Sequence, residues 1–205
     1  INCILETQKK HILTIEDPIE FEFNHTQNSI IHQREVKRDT KSFTSALKAA
    51  LREDPDIIYI GEMRDLETIQ LAITAAETGH LVLGTLHTSS AAKTVERIVD
   101  VFPADQQEQA RLQVSTSLAG IMSQTLCKNK AGKRSLAYEL LINTPAIANM
   151  IRERKVSQIY SQLQTGSGDG MNTLEQCLKE LIDKDKISLE EGLLKASSPK
   201  VLIQS

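Results

Sequence analysis

Short apolar runs, separated by polar and turn-forming residues, recur through the first half of the chain. The continuous runs are His11–Ile15 (HILTI), Ile57–Ile60 (IIYI) and Leu81–Leu86 (LVLGTL), and Ile30–Val36 (IIHQREV) is a more polar run of similar length. Runs without strict alternation are typical of strands buried on both faces of a parallel sheet. We therefore predict four strands, with Ile57–Ile60 and Leu81–Leu86 as adjacent, central members of one sheet.

Segments with helical spacing of apolar residues alternate with these strands. Ser42–Arg52 places its apolar residues on one helical face, with Ser42 in the N-cap position. Leu66–Thr78 follows Asp65, a favourable N-cap residue, and stops at Gly79, a common helix terminator. This alternation predicts a parallel α/β core.

The second half of the chain has a mainly helical pattern around one hairpin. We predict a helix from Ser89 or Ser90 to Val99, a long helix over about Ala104–Thr125 with Met122 facing inward, and a hairpin with the basic turn Lys128–Arg134. Further helices are predicted over Ala146–Arg152, Val156–Gln164, Thr173–Asp183 and Leu189–Ala196, with a flexible loop at Gly166–Gly170.

Composition narrows the class of protein. The 205 residues contain 24 Lys and Arg, 27 Asp and Glu, 3% aromatic residues and no Trp, and the net charge is −3. This balance provides no basic surface for nucleic acid, and the apolar runs fall far short of the ~20 residues that a membrane helix needs. Three Cys without a CxxC pair fit a reducing compartment rather than a zinc module. We therefore expect a globular protein with no nucleic-acid partner and no direct membrane insertion.

Acidic residues and a histidine follow the predicted strands. Glu16, Asp17 and Glu20 follow the first strand, Glu62 follows Ile57–Ile60, and His87 follows Leu81–Leu86. Because the carboxyl ends of parallel strands face the ligand crevice of an α/β sheet, we expect Glu16, Asp17, Glu62 and His87 to converge there. Such a set suits nucleotide hydrolysis, in which carboxylates support Mg²⁺ and a base polarises water.

Glu62 is the candidate base, because it lies directly after a rigid buried strand. A usual Walker B motif has Asp before this Glu, and Gly61 occupies that place here. The carboxylate that supports Mg²⁺ must then come from another strand end, and Glu16 or Asp17 is available.

Less specific interpretations remain open for each of these residues. An acid at a strand end is more often a helix cap or part of a solvated turn, and one α/β sheet pattern hosts many functions. His80 and His87 are candidates for phosphate contacts, whereas His11, His25 and His32 are interpreted as structural or exposed.

Four long sequence segments make the interpretation as a nucleotide hydrolase more specific. They resemble the retraction ATPases of type IV pili, within the type II/IV secretion ATPase superfamily, and the resemblance extends from about Lys10 to Ile187. The strings are ILTIEDPIEF (Ile12–Phe21), ALREDPDIIYIGEMRDLET (Ala50–Thr68), TAAETGHLVLGTLHTSSAAKT (Thr74–Thr94) and VDVFPADQQ (Val99–Gln107).

The resemblance implies a RecA-like P-loop NTPase core that uses ATP and Mg²⁺. It implies an Asp box at Glu16–Glu20, an atypical Walker B motif ending at Glu62, and a His box. It assigns catalysis to Glu62, Glu16 and His87, nucleotide binding to His80, His87 and Arg52, and indirect Mg²⁺ support to Glu16, Asp17 and Glu20.

A further motif lies in the predicted helix Ala146–Arg152. Its sequence AIANMIR is similar to AIRNLIR, which is associated with retraction in this family. Five positions match and form the candidate retraction motif: Ala146, Ile147, Asn149, Ile151 and Arg152. Ala148 replaces the first Arg of the motif and Met150 replaces its Leu.

The phosphate loop GxxxxGK[ST] of the family is not found among these residues. The pair Gly132-Lys133 lies in the basic turn and is interpreted as part of a surface hairpin. Ile1–Gln8 resembles the end of the helix that follows the phosphate loop, so we expect the core to be truncated at its N-terminus and the family's PAS-like domain to be missing. We predict a truncated ATPase core over residues 1–145 and a helical C-terminal region over residues 146–205.

The resemblance implies one subunit of a hexameric, homo-oligomeric motor that powers pilus retraction and twitching motility. Its implied partner is the pilus inner-membrane platform protein, and its implied location is the inner face of the cytoplasmic membrane. By itself, this chain is expected to be inactive. The alternatives are a non-catalytic assembly or regulatory subunit, and a pilus-extension, secretion or DNA-transfer ATPase. Extension and secretion ATPases usually carry a CxxC zinc module, which these cysteines cannot form.

Overall fold

The computed structural model describes residues 1–24 and 28–204 and divides the chain into two compact units, Ile1–His87 and Thr88–Ser205. His25 lies outside the described residues. The predicted functional boundary between residues 145 and 146 stays a prediction.

The first unit is built on a four-stranded parallel sheet with the order β2-β1-β3-β4. Strands β1 and β3 lie inside the sheet, as the apolar runs predict for Ile57–Ile60. The elements are α1 (Asn2–Thr7), β1 (His11–Glu16), β2 (Ile30–Glu35), α2 (Phe43–Ala50), β3 (Ile57–Ile60), α3 (Leu66–Glu77) and β4 (Leu81–Gly84).

Apolar side chains cover both faces of this sheet. On one face, Leu13, Ile15 and Ile58 pack with Leu47 of α2 and Ala72 of α3 in a buried cluster. On the other face, a smaller cluster contains α1 and residues of β1, β2 and β3: Leu5, Ile12, Ile31 and Ile57. The two-sided burial explains why the strands β1 and β3 lack strict alternation of apolar and polar residues.

Local signals set the helix ends in this unit. The Ser42 side chain accepts a hydrogen bond from the Ser45 backbone N–H, and Asp65 accepts one from Thr68. Gly79 has a φ of +103°, a conformation that residues with a Cβ rarely adopt. The predicted N-caps and the predicted end of α3 are therefore confirmed.

Strand β4 departs from its prediction in one respect. It pairs with β3 as expected, but it forms an edge of the four-stranded sheet rather than a central strand. Leu81 is consequently 44% exposed and no residue of β4 is fully buried. An apolar run shows that a strand is suited to burial, but the burial itself depends on neighbours that the run does not encode.

The second unit combines a hairpin with seven helices among its described residues. Strands β5 and β6 pair antiparallel, which confirms the hairpin predicted around Lys128–Arg134. The elements are α4 (Ala91–Asp100), α5 (Gln107–Ser117), β5 (Gly120–Lys128), β6 (Arg134–Ile142), α6 (Pro145–Arg152), α7 (Ile159–Thr165), α8 (Leu174–Asp183), α9 (Leu189–Lys195) and α10 (Pro199–Gln204).

The long helix predicted over Ala104–Thr125 is wrong. Helix α5 ends at Ser117, where the Asn143 side-chain amide donates hydrogen bonds to the carbonyls of Ser115 (3.0 Å) and Leu118 (2.8 Å). The chain then enters β5, and Met122 is 48% exposed instead of facing inward. Asn143 caps α5, and β6 pairs with the segment that follows it. Both lie far away in the sequence, so the local spacing of apolar residues could not indicate them.

The C-terminal helices agree with their predictions in position. The segment predicted as one helix over Val156–Gln164 begins with a 3₁₀ turn, and α10 was not predicted. The segment predicted as a flexible loop, Gly166–Gly170, contains a 3₁₀ turn whose first residue, Gly166, is buried against Met171. None of the described helices is both long and apolar enough to cross a lipid bilayer.

Candidate functional site

The carboxyl ends of β1, β3 and β4 bring a set of polar residues to one edge of the first unit's sheet. Residue Ile15 of β1 pairs with Ile60 of β3, and Ile60 pairs with Gly84 of β4. The residues that follow these positions, Glu16 and Glu62 among them, therefore emerge side by side. This parallel register confirms the shared edge that the sequence predicts.

Glu16 is held in place at the end of β1. It is only 8% exposed, and its Oε1 accepts hydrogen bonds from the Thr14 hydroxyl at 2.6 Å and from the Gln33 side-chain amide at 3.0 Å. Gln33 also donates to the carbonyl of Phe21 and accepts from the backbone N–H of Phe23. One side chain of β2 thus fixes both the carboxylate of Glu16 and the segment that follows the acidic turn.

Gly61 provides the space in which Glu16 lies. The backbone N–H of Gly61 donates to the carbonyl of Ile15 at 2.7 Å. A Cβ at Gly61 would lie 3.1 Å from that carbonyl oxygen and 3.2 Å from the Cα of Glu16. Such contacts are tighter than those of most real Cβ atoms, so an Asp at this position would displace β1. This close approach favours Gly at position 61.

Glu62 is engaged by two cationic or potentially cationic side chains. Its Oε2 accepts a hydrogen bond from Arg64 at 2.5 Å, and its Oε1 lies 3.0 Å from His87 Nε2. The Arg64 hydrogen bond is the main reason why the pKa of Glu62 is lowered, and the charge of His87 acts in the same direction. Glu62 is therefore a carboxylate at neutral pH, with both oxygens occupied.

Asp17 and Glu20 are exposed residues of the turn after β1. The pKa of Arg64 is raised mainly by its hydrogen bond with Glu62, and the charge of Asp17 adds to this effect. The pKa of Tyr59 is raised first by burial and then by the charges of Glu16 and Glu20. Both acids thus influence groups at this edge, although neither is hydrogen-bonded to Glu62.

His80 and Arg52 lie near the amino ends of the strands, on the side of the sheet opposite the carboxyl ends that carry Glu16 and Glu62. His80 precedes β4, and its Nδ1 lies 3.0 Å from the carbonyl of Ala75, so the imidazole caps the C-terminal end of α3. Arg52 is an exposed residue between the end of α2 and the start of β3. An open groove of about 400 Å³ lies at this amino edge, and its lining includes His80, Lys10 and Asp56. The length of β4 separates His80 from His87, so the predicted nucleotide-binding residues do not form one cluster in this chain.

Several members of the site were not assigned from the sequence. Arg64 lies two residues after Glu62, within the string ALREDPDIIYIGEMRDLET, but nothing in the sequence indicates its contact with Glu62. Gln33 and Thr14, which hold Glu16, had no detectable signal, because their contacts depend on the pairing of β1 with β2 and on the side-chain direction within β1.

The candidate retraction motif lies in the second unit, on α6. Ile147 and Ile151 are fully buried, whereas Ala146, Asn149 and Arg152 are exposed. Thr144 caps the helix by accepting a hydrogen bond from the backbone N–H of Ile147. The motif therefore has one face that packs in the core and one face that is available to solvent.

The carboxyl edge of the parallel sheet thus carries the carboxylates of Glu16 and Glu62, and the guanidinium of Arg64 and the imidazole of His87 lie beside Glu62. Residues 1–191 match the family model described as Type II/IV secretion system protein, and the chain belongs to this family. The fold class and the superfamily predicted from the sequence are confirmed.

The more similar relatives include named pilus motors. The chain is 58% identical over 200 residues to the "Type IV pilus retractation ATPase PilT" of Pseudomonas aeruginosa, which covers 98% of this chain and 58% of that protein. It is 55% identical over 199 residues to the "Twitching motility protein" of Neisseria gonorrhoeae, covering 97% of this chain and 53% of that protein.

A solved structure agrees with these sequence matches. The crystal structure of the pilus retraction motor PilT with bound ADP superposes with a TM-score of 0.92 at 52% identity, covering 100% of this chain and 57% of that chain. The resemblance to pilus-retraction ATPases is therefore confirmed in sequence and in fold. The 205 residues span 58% or less of the length of each of these three relatives.

Proposed function

We propose that these residues are part of an ATPase that powers the retraction of type IV pili, and that it works as a ring of identical subunits, six in number. The similarity to PilT supports this function, and the ADP in the PilT crystal structure supports ATP as the substrate. The observation that carries the proposal is the placement of Glu62 and the buried Glu16 at the same carboxyl edge of the parallel sheet.

In this proposal Glu62 is the general base for the attacking water. Its lowered pKa keeps it ionised at neutral pH, as a proton acceptor must be. In the structure, Arg64 and His87 occupy both of its oxygens. Each carboxylate oxygen can accept more than one hydrogen bond, so a water molecule can bind Glu62 beside these contacts, and the His87 side chain that flanks it is 85% exposed.

The acidic residues fit a role in supporting Mg²⁺. Their hard oxygen atoms are the donors that Mg²⁺ prefers, and it usually retains several water ligands. Among residues 1–24 and 28–204, no group of three or more His, Cys, Asp or Glu is placed to hold a metal. We assign this support to Glu16, with Asp17 and Glu20 further out. Mg²⁺ would neutralise the charge that develops on the phosphates.

The remaining predicted residues receive separate roles. We assign a phosphate contact to His87, and nucleotide contacts to His80 and Arg52 only in an assembled ring, because they lie at the other sheet edge. The exposed residues of α6, Ala146, Asn149 and Arg152, are proposed to contact the pilus inner-membrane platform protein. For this function we propose a location in the cytoplasm, at the inner face of the membrane.

A non-catalytic assembly or regulatory module is the second candidate. Such a module would not need the phosphate loop GxxxxGK[ST], which these 205 residues do not contain. Without the Lys and the backbone N–H groups of such a loop, a triphosphate would meet mainly carboxylates at this edge. The two candidates differ in whether Glu62 matters for hydrolysis.

A chimera separates these candidates. The matching segment of Pseudomonas PilT is replaced by residues 1–205, and ATP hydrolysis and twitching of cells that lack PilT are measured. An ATPase motor predicts that both are restored, and that the Glu62→Gln chimera retains ATP binding but loses roughly 10²–10⁴-fold in turnover. An assembly module predicts a chimera that assembles without hydrolysis, with no further effect of Glu62→Gln. Restored hydrolysis without twitching would retain the ATPase and contradict the retraction role.

A further inference from the structure

Two histidines face each other at the amino edge of the first unit's sheet. His11 is the first residue of β1 and His32 lies in β2, the neighbouring parallel strand. His11 Nε2 lies 3.1 Å from His32 Nδ1, and the ring planes are nearly perpendicular, at 87°. The sequence alone indicated two unrelated, structural or exposed histidines.

The sheet and one carboxylate hold this pair in place. His32 is in register with Leu13, two residues beyond His11, so both side chains point to the same face of the sheet. The backbone N–H of His11 donates to Asp56 Oδ2 at 2.8 Å, and the other oxygen of Asp56 binds Lys10. The backbone positions of the two histidines are therefore fixed by strand pairing on both sides of β1.

The pair is accessible from solvent. His32 is exposed and His11 is partly exposed. Within the described ranges, 1–24 and 28–204, the only hydrogen bond that either ring makes is the one to the other ring. Both nitrogens of that contact are therefore available to an incoming ligand without the loss of another partner.

We propose that His11 and His32 form a binding site for a divalent transition metal of the Zn²⁺, Ni²⁺ or Cu²⁺ type. Imidazole nitrogen is a preferred ligand of these ions, and a metal–nitrogen distance of about 2.1 Å places two ligands in neighbouring positions about 3.0–3.4 Å apart. The observed separation of 3.1 Å falls in this range. Water completes the coordination, since none of the described residues adds a third His, Cys, Asp or Glu ligand.

A bound metal would act on the fold as a cross-link between β2 and β1. β2 is an edge strand, and its residue Gln33, next to His32, holds Glu16 at the other end of β1. A ligand that binds only the folded state stabilises it in proportion to its concentration and affinity. Because a protonated imidazole has no free lone pair at the binding nitrogen, the stabilisation should weaken in acid.

The test is a calorimetric titration of the 205-residue chain with Ni²⁺. Cys3 is an exposed thiol, so the titration is carried out in a Cys3→Ser background to remove a competing ligand. We expect one Ni²⁺ per chain and at least a tenfold loss of affinity in His32→Gln and in His11→Gln. His87→Gln, which changes an exposed histidine outside the pair, should retain the parent affinity.

Two further readouts guard against a variant that is merely misfolded. Far-ultraviolet circular dichroism should be the same for all variants, and Ni²⁺ should raise the melting temperature of the parent chain but not of His32→Gln. In NMR spectra of the parent chain, substoichiometric Ni²⁺ should broaden the imidazole signals of His11 and His32 together. Equal affinity in His32→Gln and the parent, or broadening of only one of the two rings, would overturn the proposal.

Discussion

Gly61 and Glu16 are in contact across β3 and β1: a Cβ on Gly61 would lie 3.2 Å from the Cα of Glu16. A side chain at position 61 would therefore require β1 to shift by a few tenths of an ångström, and the carboxylate at this place comes from the neighbouring strand. The contact therefore connects the strand end that carries Glu16 with the segment that carries Glu62.

This contact predicts the effect of Gly61→Ala. The added methyl group must displace the backbone of β1, and overpacking of this kind costs about 1–3 kcal/mol. We expect the free energy of unfolding, measured by urea titration, to fall by that amount. Gly168→Ala is the matched control, because nothing lies within 4 Å of its added Cβ. A Gly61→Ala variant as stable as the parent would show that β1 and β3 can separate without strain.

Arg64→Gln should raise the pKa of Glu62 toward its ordinary value. The Arg64 hydrogen bond is the largest of the causes that lower this pKa, and His87 makes a smaller contribution. The measurement is an NMR titration of the Glu62 side-chain carboxyl carbon in the 205-residue chain. His87→Gln should produce a smaller rise than Arg64→Gln, and the reverse order would assign the main control of Glu62 to the imidazole.

Glu139→Gln should stabilise the second unit at neutral pH. Burial raises the pKa of Glu139, and its Oε1 accepts the backbone N–H of Ala91 at 2.7 Å. Since the folded state favours the protonated form, the carboxyl group costs stability as the pH rises from its unfolded pKa through the raised folded value. Gln retains the acceptor and has no charge, so urea unfolding at several pH values should show a smaller loss of stability over this range.

The control for this prediction is Glu139→Ala. It removes the charge and also leaves the N–H of Ala91 without its acceptor, which costs about 1–3 kcal/mol for a buried group. Glu139→Gln should therefore be more stable than Glu139→Ala at every pH. If Glu139→Gln is less stable than the parent at pH 7, the ionised carboxylate contributes more to the fold than its burial costs.

The 205-residue chain should bind Mg-ATP only weakly and hydrolyse it at the background rate. The chain contains no GxxxxGK[ST] sequence to surround the phosphates, and the carboxylates at the site repel them. Calorimetric titration with Mg-ATP measures this directly. A dissociation constant in the micromolar range would show that the described edge of the sheet holds a nucleotide without such a loop.

Local features of the fold were accessible from the sequence. The N-caps Ser42 and Asp65 act on residues three positions away, so a short window contains the whole signal. The apolar run Ile57–Ile60 indicated an interior strand, and parallel pairing then placed Glu16 and Glu62 at one edge without knowledge of side-chain detail. The resemblance supplied the family, and the matched residues 1–191 confirm it.

Features that depend on remote partners were decided by the tertiary structure. The sequence by itself determined which segments can form strands and helices and which acids follow the strands. Only the tertiary structure shows that part of the segment predicted as a long helix forms β5, because β6 pairs with it and Asn143 caps α5. It also shows that β4 is an edge strand of the sheet and that Arg64 binds the carboxylate of Glu62. The physical reason is range: capping and periodicity act over a few residues, whereas strand pairing, steric contact and ion pairing depend on positions that only folding brings together.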